Sequence, residues 1–338
     1  MKTTILGIDL AKDVFQLHGN NEQGKVVLSK RLKRKQLRAY VAQLPPCLIA
    51  MEACSGAHHW AREFRKMGHQ VRLISPQFVK PFVKTNKNDF ADAEAIAEAA
   101  ARPNMRFVPV KELWHQEVQS LHRARSLLVA QKIALTNAIR GFLTEHGYVF
   151  GKGDSILGKA LAEIVDQNEL EFSGMFLGLL QRLWDQFKQL QEEMSRLDQE
   201  ISKIAKTDER CVRIQKIEGV GPMTATAILA ATPDIKAFKN GRQFSAWLGL
   251  VPKQWSSGQR EQLLGISKRG DGYIRMLLVH GARAAVRTAD KRDTRRSRWA
   301  IEKVKTRGAN KATVAYANHT ARIIWALLAK EEEYRAVA

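Results

Sequence analysis

The chain has 338 residues, 45% of them hydrophobic and 26% charged, which excludes a disordered chain and leaves room for two or three domains with their own cores. Lys and Arg number 55 against 34 Asp and Glu, a formal charge of +21 that points to a polyanionic partner. Three cysteines, Cys47, Cys54 and Cys211, have no paired spacing, which excludes a disulfide scaffold and the usual structural zinc patterns and fits a reducing compartment.

No run of about 18 apolar residues stands in the sequence, so no membrane span is expected. The start, Met1-Lys2-Thr3-Thr4-Ile5, turns polar too soon for a signal peptide. The charge is uneven. Residues 1–112 carry 19 basic and 10 acidic groups, residues 113–238 carry 15 and 16, residues 239–311 carry 18 and 5, and residues 312–338 carry three of each. A neutral middle between two basic regions predicts a spacer between two surfaces that meet nucleic acid, because each neutralised phosphate releases counterions. The dense C-terminal excess is interleaved with Trp247, Trp255, Tyr273 and Trp299, which favours nucleic acid over an inert basic surface. A membrane surface fits less well, since neither end carries a strongly amphipathic basic helix.

In chain order, Thr3–Leu10 reads as a buried strand, Val14–His18 as a second and Val26–Ser29 as a third, a meander with its turn at Asn20–Gly24. A basic helical stretch from about Lys33 to Leu44 stops at Pro45-Pro46. Cys47–Met51 reads as a fourth strand, His58–Met67 as a helix, Val71–Ile74 as a fifth strand, and Asp89–Arg102 as a helix rich in Ala and Glu. Three meander strands followed by alternating helices and strands resemble the ribonuclease-H-like order of elements, an analogy of order. The middle is helical. Phe176, Leu180, Leu183, Phe187, Leu190, Met194, Leu197, Ile201 and Ile204 form an unbroken heptad seam. Trp114, Val118, Leu121, Arg125, Leu128, Lys132, Leu135, Ile139 and Phe142 repeat the spacing less cleanly. A hairpin packed on itself and a coiled coil pairing subunits explain the heptads equally well. The last part is expected to be helices and loops up to about Leu328. The three domains are expected at 1–112, 113–208 and 209–338: α/β, then a helical coiled-coil spacer, then mostly α.

Four carboxylates stand where strands end and a helix begins. Asp9 ends the first strand, Glu52 follows the fourth, and Asp89 and Asp92, three apart, share a face of their helix. Magnesium takes hard oxygen ligands, and two such ions about 4 Å apart clamp the attacking and leaving oxygens of a phosphodiester. Each acid also has a plain reading: Asp9 as a turn residue, Asp89 as a helix cap. Asp13, on the polar bend, is a rival to Asp9. Glu52 is the most informative, because a carboxylate directly after Leu48-Ile49-Ala50-Met51 needs a partner or a metal. Jointly, the four favour a metal site.

Ile217-Glu218-Gly219-Val220-Gly221, followed by Thr224-Ala225, is like a helix-hairpin-helix turn, in which Gly219 and Gly221 would let backbone N–H groups approach a phosphate. A plain Gly-rich turn between helices is the alternative. Further on, Gly249-Leu250-Val251-Pro252-Lys253 leads to Ser256-Ser257-Gly258, and Ser267-Lys268-Arg269-Gly270 to Tyr273-Ile274-Arg275. A serine among cations could attack a phosphodiester once its hydroxyl is activated. From the residues alone, a polar loop whose serines turn the backbone is the simpler explanation.

Taken together, these motifs resemble those of DEDD-type insertion-sequence transposases, the family of bridge-RNA-guided DNA recombinases. Gly7-Ile8-Asp9-Leu10-Ala11-Lys12 is similar to the family's first acidic motif, Met51-Glu52-Ala53-Cys54-Ser55-Gly56 to the second, with Ser55 where Thr is usual, and Lys87-Asn88-Asp89-Phe90-Ala91-Asp92-Ala93 to the third. Gly249–Pro252 through Ser257-Gly258 resembles the C-terminal transposase motif. The resemblance implies a ribonuclease-H-like domain whose acids, here Asp9, Glu52, Asp89 and Asp92, bind Mg2+, with Mn2+ as a substitute. It implies a serine nucleophile, here Ser257, with Ser256 where an acidic or other residue often precedes it. It also implies DNA partners at the element ends and target, a guide noncoding RNA, and a homo-oligomer, dimer or tetramer, with metal and serine from different subunits. The location so implied is cytoplasmic and nucleoid-associated. On this reading Lys253, Arg260, Lys268, Arg269 and Arg275 hold nucleic-acid backbone. The rival readings are a metal-dependent junction nuclease using water, a non-enzymatic nucleic-acid-binding scaffold and, more weakly, an actin-like ATPase.

Overall fold

Alternation of apolar side chains along short strands, with helices that cover both faces, builds the first part of the chain. The computed structural model describes residues 2–84, 88–167, 172–257 and 260–335. The chain divides into two compact units, residues 1–115 with 232–237, and residues 116–231 with 238–338.

The first unit holds β1 (Ile5–Asp9), β2 (Val14–Asn20), β3 (Val26–Lys33), α1 (Arg34–Ala42), β4 (Leu48–Glu52), α2 (Ala57–Lys66), β5 (Gln70–Ile74), α3 (Pro76–Val79), α4 (Asp89–Ala100) and β6 (Phe107–Val108). The sheet order is β3-β2-β1-β4-β5-β6. β1 pairs antiparallel with β2 and parallel with β4, and β4 pairs parallel with β5. This is the ribonuclease-H-like arrangement expected from the order of elements. The short β6, antiparallel to β5, was not expected; two residues are too few to show alternation.

The pleat sends successive side chains to opposite faces. Leu6, Ile8, Ile49, Met51 and Leu73 join Trp60 and Phe64 in one core, while Ala50 and Ile74 join Ile96, Ala99 and Ala100 of α4 in another. Gly7 permits the close approach of α4: a Cβ there would collide with the Ala93 carbonyl oxygen and lie 2.8 Å from the Ala97 amide nitrogen. The many alanines of α4 serve this approach, since a helix without large side chains can rest directly on a sheet.

The second unit begins on α5 (Leu113–Glu145) and continues through α6 (Asp154–Gln167), α7 (Gly174–Thr207), α8 (Glu209–Gln215), α9 (Pro222–Ala231), α10 (Gly241–Trp247), β7 (Pro252–Ser257), β8 (Arg260–Ile266), α11 (Gly272–Arg287), α12 (Arg295–Arg307) and α13 (Ala309–Lys330). Ile139 and Leu143 of α5, Leu157 and Leu161 of α6 and Leu180 of α7 share one core. Farther along, Arg125 of α5 forms an ion pair with Asp198 of α7. Seam residues of the two long helices thus pack within one chain. The two cations in the weaker seam are both paired, Arg125 with Asp198 and Lys132 with Asp154 at 2.6 Å. At its end the seam shifts: Phe142 is exposed, and Leu143 is buried in its place.

The C-terminal part is an α-bundle in which α10, α11 and α12 pack on α13. The stretch expected as a polar loop is instead an antiparallel hairpin, β7–β8. Its exposed apolar side chains, Trp255 and Leu263, gave no alternation to read.

Candidate active site

Asp9 and Glu52 occupy equivalent places on neighbouring strands. The parallel register runs Gly7↔Ala50 and Ile8↔Met51, so the next residues on each strand are the two acids. By alternation Asp9 shares a face with Gly7, and Glu52 with Ala50, the face covered by α4. Both carboxylates are half-buried. Both also bear on one thiol: burial pushes Cys54 up from its ordinary value, and the charges of Glu52 and then Asp9 push it further. Nothing in the spacing of Cys54 along the sequence marks it.

The two aspartates of α4 differ. The side chain of Asn88, not Asp89, caps the helix, accepting from the Ala91 N–H at 2.8 Å, so both Asp89 and Asp92 are left for other work. Asp92 is half-buried and directly precedes Ala93, the residue seated on Gly7. Asp89 is exposed and lies 3.6 Å from the Arg31 guanidinium. Arg31 on β3 pairs with Gln16, which pairs with Asp9, so this cation stands level with Asp9 across the sheet. Among the described residues, no group of three or more His, Cys, Asp or Glu side chains stands close enough to hold a metal ion. The structure therefore brings Asp9 and Glu52 together and leaves Asp89 beside Arg31. The donor set, carboxylate oxygens at one sheet edge, suits a hard divalent ion.

In the second unit, Ser257 is the last residue of β7 and pairs with Arg260, the first of β8; Ser256 pairs with Glu261 and is exposed. Gly258 and Lys87 lie outside the described residues, and of Ser257 and Arg260 only the backbone is described. Lys253, Lys268 and Arg269 are exposed. Arg275 is a brace: its Nη1 donates to the Leu248 carbonyl at 3.1 Å and to the Arg269 carbonyl at 2.8 Å. It ties the Gly249 turn to the Ser267–Gly270 segment. Gly249 has φ +72°, and a Cβ there would collide with the Arg269 carbonyl oxygen, so this turn requires glycine.

Gly219 and Gly221 join α8 to α9 but differ in surroundings. A Cβ on Gly219 would lie 2.5 Å from the Gly281 carbonyl oxygen, whereas around Gly221 the space is open. Gly219 thus serves the seating of this turn on α11. Of the aromatic residues expected at a nucleic-acid surface, Trp247 stacks on Phe244, and Tyr273 meets the buried His122 at 3.0 Å. Trp255 is 72% exposed.

Residues 6–147 match the family model of DEDD transposases of the IS110 type, and residues 211–298 match that of the IS116/IS110/IS902 transposase family. The chain is 49% identical over 336 residues to a probable family 20 transposase of Pseudomonas aeruginosa, covering 99% of each chain. It is 46% identical to the transposase for insertion sequence element IS1111A of Coxiella burnetii, covering 99% of this chain and 92% of that one. It is 40% identical to the transposase for IS1328 of Yersinia enterocolitica, covering 95% and 96%. A divalent metal ion is implied by a DEDD transposase domain. With its α/β, ribonuclease-H-like first unit, the chain belongs to the DEDD transposases of the IS110/IS116/IS902 family, enzymes of DNA transposition.

Proposed function

We propose that the protein excises and inserts its own mobile element under the direction of a noncoding RNA, using an acidic tetrad and a serine nucleophile. The observation that carries this reading is the placement of Asp9 and Glu52 at the ends of paired parallel strands, on the face that α4 brings Asp92 towards. Asp9, Glu52, Asp89 and Asp92 would hold Mg2+, or Mn2+ in its place. A bound divalent ion supplies Lewis-acid stabilisation of charge on a phosphate oxygen.

Ser257 Oγ attacks phosphorus. A new Ser–O–P bond forms as the bond to a deoxyribose oxygen breaks; the serine gives up its proton, and the leaving oxygen takes one up. The phosphoserine conserves the phosphodiester's energy, so a second deoxyribose hydroxyl can reverse the step on another strand. Lys253, Arg260, Lys268 and Arg269 hold nucleic-acid backbone, which positions a strand without reading its sequence. Arg275 braces the Arg269 backbone, and Gly219 seats its turn on Gly281 of α11. Base choice comes from pairing between RNA and DNA, by analogy with other guided systems. The functional division is 1–112 for metal binding, 113–208 as a helical spacer and 209–338 for the serine chemistry, in a homo-oligomer.

The test is recombination between plasmids carrying the element ends and a target, with the flanking noncoding sequence expressed alongside. Asp9→Ala and Glu52→Ala abolish recombination, and RNA that copurifies with the protein maps to the element's flanks. Recombination that survives both substitutions makes the protein a scaffold. Recombination with no copurified RNA removes the guide.

A further inference from the structure

The C-terminal bundle contains a groove of about 1360 Å3, walled by the base of the β7–β8 hairpin, α12, α13 and the chain's last described residues. This exceeds the roughly 300–1,000 Å3 of a pocket for one small molecule, and it suits an extended segment. Its floor is apolar, with Leu250, Ile266, Val314 and Ile323 beside Trp299. Arg295, Lys311, Arg322 and Arg335 line it from exposed positions, and among the described residues none that lines it is acidic. Two neighbouring acids are engaged: Glu218 accepts from Tyr334 at 3.0 Å and pairs with Arg296 at 3.3 Å, and Glu333 pairs with Lys216 and Arg213.

Two buried nitrogens on this lining lack a partner. Arg296 is 8% exposed and uses its Nη atoms on Glu218 and Thr320, but its Nε bonds to nothing. His319, whose ring lies 5.6 Å from that of Trp299, has no partner at Nδ1. Burial, with Arg296 and Arg322 nearby, pushes His319 down from its ordinary value. Buried polar atoms are normally satisfied, so these two nitrogens are exceptions.

We propose that this groove binds a single-stranded segment of nucleic acid, its bases on the Trp299 floor and its phosphates on the surrounding cations. An aromatic floor bordered by cations is the pattern that holds unpaired bases without regard to sequence. A duplex fits poorly, since its bases are stacked inside and cannot reach a floor. An acidic protein segment would meet the cations but leave the aromatic floor without matched chemistry. The lining includes neither the acids of the first unit nor Ser257, so its test does not require cleavage.

The test uses the full-length protein with EDTA present, so that no metal-dependent step intervenes. Fluorescent oligothymidylate, oligouridylate and a duplex of equal length are titrated by anisotropy, and an iodouracil-substituted oligonucleotide is photocrosslinked and mapped by mass spectrometry. Single strands bind more tightly than the duplex, and adducts fall on Trp299, His319 or Tyr334. The triple variant Arg295→Gln, Lys311→Gln, Arg322→Gln weakens binding about tenfold or more at 0.15 M salt and lowers the salt slope by about 2. Trp299→Leu weakens binding by about fivefold or more while leaving that slope unchanged. A matched triple at the exposed Arg283, Lys305 and Arg307, which tests charge alone, changes affinity less than about threefold. Melting curves confirm that each variant is folded. The ratio of uridylate to thymidylate affinity tells whether RNA or DNA is the better occupant. Adducts confined to residues outside the groove, or equal losses from both triples, overturn the proposal. So does an acidic peptide that fills the groove while oligonucleotides do not.

Discussion

Gly7 and Ala93 meet backbone to backbone, which seats the helix carrying Asp89 and Asp92 directly on the strand that ends in Asp9. The obstacle to any larger residue at position 7 is main chain, which cannot rotate away. Gly7→Ala therefore forces α4 to shift. It costs about 1–3 kcal/mol or more in stability, read as a lowered midpoint in urea, and it weakens metal binding by displacing Asp92. An unchanged midpoint would show that α4 is free to move.

Asp9 and Glu52 are the two acids that strand pairing alone brings together. Asp9→Asn and Glu52→Gln each weaken Mn2+ binding at least about tenfold, as expected where a hard ion loses a charged oxygen ligand. Asp13→Asn, on the polar bend, leaves it unchanged. Electron paramagnetic resonance of free Mn2+ reads this without catalysis. Equal affinity in all three variants would place the metal elsewhere.

Arg31 stands level with Asp9 in the strand register and holds Asp89 at 3.6 Å. Both partners are more than half exposed, so the pair adds at most about 1 kcal/mol. Arg31→Gln accordingly leaves the melting temperature nearly unchanged while tightening Mn2+ binding several-fold, because a competing cation is gone. Weaker Mn2+ binding in this variant would make Arg31 a support of the site instead of a competitor.

Buried histidines tie stability to acid. The Thr226 hydroxyl donates to the Pro222 carbonyl at 2.8 Å, so it accepts from His122 Nε2–H at 2.9 Å, and the Tyr273 hydroxyl donates to Nδ1 at 3.0 Å. The neutral ring is thereby satisfied. Burial, with Arg125 adding to it, pushes His122 down to about 4 from 6.5. The unfolded chain takes up the proton first as pH falls. Stability from this group is thus full above pH about 6.5 and is lost towards pH 4, by about 2 kcal/mol at pH 5. His122→Gln flattens the difference in urea midpoint between pH 7 and pH 5. An undiminished difference would assign it to other groups, such as His58, which burial followed by Lys111 also pushes to about 4.

Much of the first unit was legible because strand alternation, Pro45-Pro46 and the Ala-rich helix are local signals. The acids at strand ends were legible for the same reason. Arg31 and Cys54 were not, since their importance comes from cross-strand register and burial, which no local spacing encodes. The β7–β8 hairpin was hidden because Trp255, Leu263 and Leu264 are exposed, so its apolar residues mark no core face. The heptads were read correctly as helices, but a single sequence could not say which partner the seam meets. Ion pairs such as Arg125 with Asp198 join α5 and α7 within the chain. Gly219 was read as a phosphate approach, yet its lack of a side chain also serves contact with Gly281 on a helix sixty residues away.

The most direct test of the account is the chemical state of cleaved DNA. Labelled element-end DNA is incubated with protein, guide RNA and Mg2+, quenched in denaturant and resolved on a gel, with the adduct peptide sequenced by mass spectrometry. The account predicts a protein–DNA adduct on Ser257 that is absent in Ser257→Ala, present in Ser256→Ala and absent in Asp9→Asn. An adduct that persists in Ser257→Ala, or hydrolysed ends with no adduct in the wild-type protein, would contradict it.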